Sequence, residues 1–165
     1  MRFLILADVN LYNFKLDNGF SIELEKDDKV FTPTGTSKVL VEAIVENVKN
    51  KKKILDLGCG CGAIGLSLFK NNLVEEPLYA SDISEKAIND FRTNSEKYKC
   101  KSIVKQSRLL DEWKEYKFEL IVCDVSAISE EVAKFSKWFD ATSCKTGIDG
   151  AKLMKEIFEN VEKYI

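Results

Sequence analysis

The strongest chemical signal in the chain is the stretch KILDLGCGCGAIGL, residues 53–66. It places four glycines between a short apolar run and a segment with helical spacing: Gly58, Gly60, Gly62 and Gly65. Glycine lets the backbone approach a ligand that a Cβ would exclude, and the amino end of the following helix would lie beside that ligand. The last three glycines also fit the dinucleotide fingerprint, so the glycines alone leave several ligands open.

Two carboxylates narrow the choice of ligand. Asp56 stands two residues before Gly58, where it would repel a pyrophosphate and attract an ammonium group. Asp82 closes the run YASD and can accept hydrogen bonds from both hydroxyls of a ribose. Together they favour an adenosine ligand that is cationic near the turn, such as S-adenosylmethionine. A phosphate-binding loop is disfavoured because no Gly-Lys-Ser/Thr ends the turn.

The composition excludes several other classes of protein. The chain has no histidine, so the usual hydrolase triads and histidine-bearing zinc sites are missing. Its five cysteines lack paired spacing, which predicts a cytoplasmic protein, and Cys59 and Cys61 have no second pair to form a metal site. No apolar run is long enough for a membrane span, and a net charge of −2 does not indicate a general polyanion-binding surface.

Periodicity predicts the elements that position these residues. Residues 11–25 alternate apolar and polar around Asp17-Asn18-Gly19, which predicts a β-hairpin. A Pro-Thr-Gly loop then leads into a helix with Thr36 or Ser37 as its cap. The apolar positions of that helix follow helical spacing: Val39, Leu40, Ala43, Ile44 and Val48.

From Lys53 onward strands and helices alternate. Strands are predicted at KILDL, PLYASD, SIVKQ and FELIVCD, and helices at AIGLSLFKNN and, capped by Ser84, at SEKAINDFRTNSEKY. This order predicts an α/β fold with a mainly parallel sheet and helices on both faces. Two more helices are predicted at SEEVAKFSKWF and DGAKLMKEIFENVEKYI. We expect a β-hairpin extension at 1–29 and one cofactor-binding domain at 30–165.

These motifs resemble a known family. LDLGCGCGAIGLSL and YASDISEKAI resemble the first two motifs of class I S-adenosylmethionine-dependent methyltransferases, and VFTPTGTSKVL, FELIVCD and TGIDGAKLMKEIFENVEKYI are similar to HemK-type glutamine methyltransferases and related rRNA methyltransferases. The resemblance implies a Rossmann-like fold that methylates a nitrogen of a protein or RNA. Taken with the two carboxylates, it assigns these residues to the cofactor: Asp56, Gly58, Cys59, Gly60, Cys61, Gly62, Asp82, Ile83, Leu109 and Asp124.

The acceptor motif departs from the family pattern. HemK-type enzymes have Asn-Pro-Pro-aromatic where this chain has Asp124-Val125-Ser126-Ala127. The resemblance implies that Asp124 is a catalytic residue that positions the acceptor, near Thr32, Thr34 or Thr36. Asp124 can accept a hydrogen bond from an N–H but cannot donate one to a carbonyl, and it could equally cap the next turn.

The third family motif is also altered, because Arg108 stands where the family has an aspartate that contacts the adenine. Leu109 can still pack on the base, and we expect Arg108 to stack on it or point to solvent. The family fold continues beyond the last predicted helix, so the strand FELIVCD would be a sheet edge. A truncated gene, a fragment of a longer chain, or a protein partner that covers the edge would each account for this.

Three functions remain as alternatives. The first is an active methyltransferase, and the second is a catalytically degenerate methyltransferase fold that serves as a binding or interaction module. The third is a nicotinamide oxidoreductase, which is disfavoured because the chain has neither a histidine nor an evident tyrosine-lysine pair to manage the substrate proton.

Overall fold

The chain begins, where it can be described, with the predicted hairpin. A computed structural model describes residues 10–135 and 145–165, so the first nine residues of the expected extension lie outside the described residues. β1 (Leu11–Lys15) pairs antiparallel with β2 (Ser21–Glu25). Gly19 has a φ of 88° in the connecting turn, a value that glycine adopts readily. The predicted hairpin is therefore confirmed.

A parallel sheet forms the centre of the described structure. Its strands lie in the order β5-β4-β3-β6 and are all parallel. Their bounds are β3 Ile54–Leu57, β4 Leu78–Asp82, β5 Ser102–Gln106 and β6 Leu120–Cys123. The register sets Asp56 beside Ala80 on one side and Val122 on the other. The carboxyl ends of β3, β4 and β6 therefore meet at one edge of the sheet, where ligands of such folds bind.

Helices lie before, between and after these strands. They are α1 Gly35–Asn47, α2 Ala63–Lys70, α3 Glu85–Lys97, α4 Glu130–Ala133 and α5 Lys152–Asn160, and a short 3-10 turn follows α5 at Val161–Lys163. None of the described helices is long and apolar enough to cross a membrane.

The ends of four helices test the predicted caps and bounds. Ser84 caps α3 as predicted, by accepting a hydrogen bond from Ala87 N at 3.4 Å. The predicted cap of α1 was wrong, because Thr34 is the N-cap. The helix predicted at SEEVAKFSKWF is described only as α4, since residues 136–144 lie outside the described residues. The last helix begins at Lys152, later than the predicted Asp149-Gly150 start.

Apolar residues pack on both faces of the sheet, as predicted. On one face Phe14 and Leu24 of the hairpin share a core with Ile54 and with residues of α1, α2 and α3. On the other face Leu55 and Ile157 pack with a cluster of aromatic rings. The alternation of neighbouring β3 residues between the faces shows that β3 is covered on both sides.

The structure also tests the apolar positions predicted for α1 and the predicted sheet edge. Val39 is 65% exposed and Ala43 is exposed as well, so their expected places on the apolar side of α1 were wrong. β6 has β3 as its neighbour on one side, and no other strand of the described residues pairs with it. The expectation that FELIVCD forms a sheet edge holds for the described part of the chain.

Candidate functional site

The glycine turn joins β3 to α2 and is fastened to β4. The backbone amides of Gly58 and Cys59 donate to Ser81 O at 2.8 and 2.9 Å. Gly60 has a φ of 52°, and a Cβ there would have no heavy atom within 4 Å. The left-handed backbone and the open space at Gly60 together leave room for a ligand to approach the main chain.

Asp56 lies buried at the base of this turn. Its Oδ2 accepts a hydrogen bond from Gly65 N at 2.8 Å, in the first turn of α2. Burial raises the pKa of Asp56 to about 7; the Gly65 hydrogen bond opposes the rise, and the negative charges of Asp82 and Asp124 add to it. A cation placed near Asp56 would favour its ionised form.

Asp82 connects the glycine turn to the start of α3. Its Oδ2 accepts from Gly60 N at 3.0 Å and its Oδ1 from Ser84 N at 2.9 Å. Burial raises the pKa of Asp82, and these backbone hydrogen bonds oppose the rise. Each carboxylate oxygen has a second acceptor position, so the group can still receive the hydroxyls of a ribose. Ile83, the next residue, is 60% exposed beside it.

Asp124 follows β6 and is held by the first turn of α1. Its Oδ2 accepts a hydrogen bond from the buried Ser37 hydroxyl at 2.5 Å, and the Ser37 Oγ also accepts from Thr34 N at 3.1 Å. The loop predicted to lie near the acceptor is thereby joined to Asp124. The sequence predicts Ser37 only as a candidate helix cap and carries no local signal for its bond to Asp124.

The end of β6 also packs against the glycine turn. A Cβ on Gly58 would lie 3.0 Å from Val125 Cγ1, the residue directly after Asp124. The structure therefore brings Asp56, Asp82 and Asp124 to the ends of adjacent strands around one turn. Such a set of carboxylates creates a negative potential that attracts a cationic ligand.

The loop after β5 approaches this edge from the side of β4. Leu109 has a φ of 48° and packs partly buried against the aromatic core. Arg108 is exposed at the surface, where its guanidinium forms two hydrogen bonds with the carboxylate of Glu156 on α5. Of the two expected orientations the exposed one is observed, and the sequence did not indicate the ion-pair partner 48 residues further along the chain.

The cysteines of the turn are small buried residues. Burial raises the pKa of the Cys61 thiol to about 12 and that of the Cys59 thiol well above its usual value. Among the described residues no three histidine, cysteine, aspartate or glutamate side chains lie close enough to hold a metal ion. The side chains of these two cysteines therefore supply volume within the turn.

Asn94 is a structural residue of the site that the sequence analysis missed. It is 0% exposed, and its Nδ2 donates to Cys61 O at 2.9 Å and to Glu25 O at 2.8 Å. Its Oδ1 accepts from Glu25 N at 2.8 Å. Asn94 thus joins the hairpin, α3 and the glycine turn. Its signal in the sequence is a polar residue three positions after the buried Phe91, on the apolar face of α3.

Several curated methyltransferases are similar in sequence to this chain. The release factor glutamine methyltransferase of Streptococcus pneumoniae is 34% identical over 113 residues, which cover 68% of this chain and 40% of that protein. The ribosomal protein L11 methyltransferase of Thermoanaerobacter pseudethanolicus is 28% identical over 158 residues, or 90% of this chain and 50% of that protein. The chain spans about half the length of the curated relatives it matches.

Solved structures of methyltransferases share the fold. The T. thermophilus 16S rRNA methyltransferase in complex with AdoMet and guanosine matches with a TM-score of 0.63 at 20% identity, covering 73% of this chain and 34% of that one. The Pyrococcus abyssi tRNA (uracil-54, C5)-methyltransferase in complex with S-adenosyl-L-homocysteine matches with a TM-score of 0.55 at 22% identity, covering 75% and 31%. These matches establish a Rossmann-like methyltransferase fold.

The family assignment rests on the part of the chain that contains the site. The model of the methyltransferase small domain family matches residues 23–125. This range begins in β2 and runs through the glycine turn to the residue after Asp124. The match favours a methyltransferase over the nicotinamide oxidoreductase that the glycine spacing alone had left open. Since it covers more than half of the sequence, the chain belongs to the methyltransferase small domain family.

Proposed function

We propose that this chain binds S-adenosylmethionine at the carboxyl ends of β3, β4 and β6 and transfers its methyl group to a nitrogen of a protein or RNA. The observation that carries the proposal is the meeting of Asp56, Asp82 and Asp124 around the glycine turn. S-adenosylmethionine bears an ammonium, a sulfonium and two ribose hydroxyls, which suit three carboxylates. Family membership and the named relatives support this class of cofactor.

Each part of the cofactor has a proposed partner. The main chain of residues 58–62 borders the amino-acid part, and Asp56 balances its ammonium group. Asp82 accepts hydrogen bonds from the ribose hydroxyls through the lone pairs that Gly60 and Ser84 leave. Ile83 and Leu109 supply apolar surface for the adenine, which would cover the exposed Ile83 side chain.

Asp124 is the proposed catalytic residue on the acceptor side. The bound cofactor supplies a methyl group activated by its sulfonium. Asp124 accepts a hydrogen bond from an acceptor N–H and so orients that nitrogen, while Ser37 fixes the carboxylate through Oδ2. A carboxylate cannot donate to a carbonyl, so we expect acceptors that need no such donor, unlike a glutamine amide held on both sides.

The proposal extends to the surroundings of the chain. The described cysteines Cys59, Cys61, Cys100 and Cys123 are all free thiols, which supports a cytoplasmic location.

A protein partner is proposed for the edge of β6, on the observation that β3 alone among the described strands pairs with it. Size-exclusion chromatography with light scattering, before and after addition of a cell extract depleted of small molecules, would measure such an assembly, and a strictly monomeric chain in both samples would refute it.

Cofactor binding is tested first, by calorimetry with S-adenosylmethionine and S-adenosylhomocysteine. We expect binding of both, together with protection against thermal unfolding. A chain that binds neither compound and shows no protection refutes the proposal.

Methyl transfer is tested with labelled S-adenosylmethionine and the protein and RNA fractions of a cell extract. We expect label in one fraction, its loss in Asp124→Ala, and unchanged transfer by Glu119→Gln, which alters a carboxylate at the opposite end of the same strand. Cofactor binding without label in either fraction would instead favour the catalytically degenerate binding module.

A further inference from the structure

The helix α5 and the segment before it contact both loops that border the candidate site. Gly147 and Glu130 exchange two hydrogen bonds, at 2.8 and 3.1 Å, which fasten the segment before α5 to the start of α4. A Cβ on Gly150 would lie 2.7 Å from Ala127 O, so this segment presses directly on the loop after β6. Further along α5, Glu156 pairs with Arg108 in the loop after β5. One element therefore reaches both the acceptor loop and the proposed adenine loop.

The Arg108–Glu156 ion pair is bidentate. Nη1 faces Oε1, and Nη2 lies 2.6 Å from Oε2. The two side chains are 45% and 34% exposed, so solvent weakens the attraction between their charges. The two parallel hydrogen bonds nevertheless fix the direction of both planar groups, which a single contact between point charges does not do.

Arg108 precedes a residue whose backbone needs support. Leu109 has a φ of 48°, in the left-handed region that residues with a Cβ avoid. Inside the loop, Ser107 Oγ donates to Leu109 O at 3.0 Å and accepts from Glu112 N at 3.2 Å. A residue keeps such a strained conformation only where several surrounding contacts hold it in place. From outside the loop, the carboxylate of Glu156 holds Arg108, the residue next to the strained Leu109.

We propose that Glu156 is a positioning residue for the cofactor, because it holds Arg108 and thereby fixes Leu109 in the shape that lines the adenine site. The inference rests on the proposed function, since it assigns Leu109 to the adenine. It assigns to α5 an effect on cofactor affinity that requires no direct contact between α5 and the cofactor. Arg108, at the position where an adenine contact was expected, then acts as the link between α5 and the loop.

The inference is tested with the variant Glu156→Gln. Loss of one charge from an exposed bidentate pair is expected to raise the Kd for S-adenosylhomocysteine about fivefold in calorimetry. Hydrogen exchange of amides 107–113 is expected to quicken in the unliganded variant. Lys155→Gln is the matched control, because it breaks the neighbouring Lys155–Asp149 ion pair of 2.7 Å on the same helix and should change neither readout.

A charge reversal separates positioning from a general loss of structure. Arg108→Glu alone should weaken binding, and Arg108→Glu combined with Glu156→Arg should recover most of the affinity and slow the exchange again. Wild-type affinity and exchange in Glu156→Gln would overturn the inference while leaving the proposed function intact. A wild-type chain that binds no S-adenosylhomocysteine refutes the proposed function, and the exchange rates then still decide whether Glu156 holds the loop.

Discussion

Replacement of Gly65 by alanine tests whether the contact between Asp56 and α2 shapes the site. A Cβ on Gly65 would lie 2.7 Å from Asp56 Oδ2 and 3.1 Å from Leu78 Cδ2. Both neighbours are buried, so neither can swing into solvent to make room. The carboxylate must move, and the hydrogen bond that it accepts from Gly65 N must lengthen or break.

The expected loss of stability combines three effects at Gly65. Overpacking of a dense interior costs roughly 1–3 kcal/mol. Disturbing a hydrogen bond to a buried carboxyl costs roughly another 1–3 kcal/mol. Alanine in a helix interior regains about 1 kcal/mol over glycine. The net effect is a fall of about 3 kcal/mol in the free energy of unfolding, together with weaker cofactor binding because Asp56 is displaced.

Urea unfolding of Gly65→Ala beside Gly35→Ala measures this difference. Gly35 is the first residue of α1, and a Cβ there would have no heavy atom within 4 Å. Gly35→Ala should therefore keep the stability of the wild type or gain a few tenths of a kcal/mol, about what a compatible glycine replacement yields. Equal urea midpoints and equal Kd values for S-adenosylhomocysteine in the two variants would refute the reasoning.

Three further predictions concern neighbouring residues. In the folded chain the pKa of Asp56 is raised to about 7, above its unfolded value. Protonated Asp56 therefore contributes to the free energy of unfolding, and this contribution is fully present below about pH 4 and is lost as the pH rises toward about 7. Asp56→Asn should flatten the fall in the free energy of unfolding across that window in urea titrations, and an unchanged slope would contradict the assignment. Asp82→Ala should raise the Kd for S-adenosylhomocysteine about tenfold or more in calorimetry, because a charged hydrogen-bond acceptor is lost, and an unaltered Kd would exclude Asp82 from the cofactor site. Asn94→Ala leaves Glu25 and Cys61 without their buried partner, so we expect a loss of about 2–4 kcal/mol in urea unfolding and faster hydrogen exchange in the hairpin; retained protection there would show that the bonds are dispensable.

Local patterns predicted the elements well. β5 occupies Ser102–Gln106 as predicted, and the Asn-Gly pair marked the hairpin turn, because short-range periodicity and turn chemistry decide such features. The carboxylates Asp56 and Asp82 stand out in the sequence for the same reason, since strand ends followed by glycine or a helix cap carry a recognisable signature.

Contacts between distant parts of the chain could not be predicted. Ser37 and Asp124 are 87 residues apart, and no local pattern pairs a helix-cap serine with a strand-end carboxylate. The partner of Arg108 was missed for the same reason, because Glu156 belongs to a helix whose packing only the fold reveals. Val39 follows helical spacing yet lies outside, since the apolar side of α1 is narrower than the sequence suggested.

The order of strands in the sheet has a consequence for synthesis on the ribosome. β3, β4 and β5 pair with their chain neighbours, whereas β6 returns to the opposite side of β3. The glycine turn, Asp56 and Asp82 have therefore all emerged once Gln106 has left the ribosome, before β6 and Asp124 emerge. Because chains emerge from the amino terminus and near pairings close first, the carboxylate pair proposed for the cofactor assembles ahead of the acceptor edge. Translation thus exposes the residues proposed for the cofactor before those proposed for the acceptor.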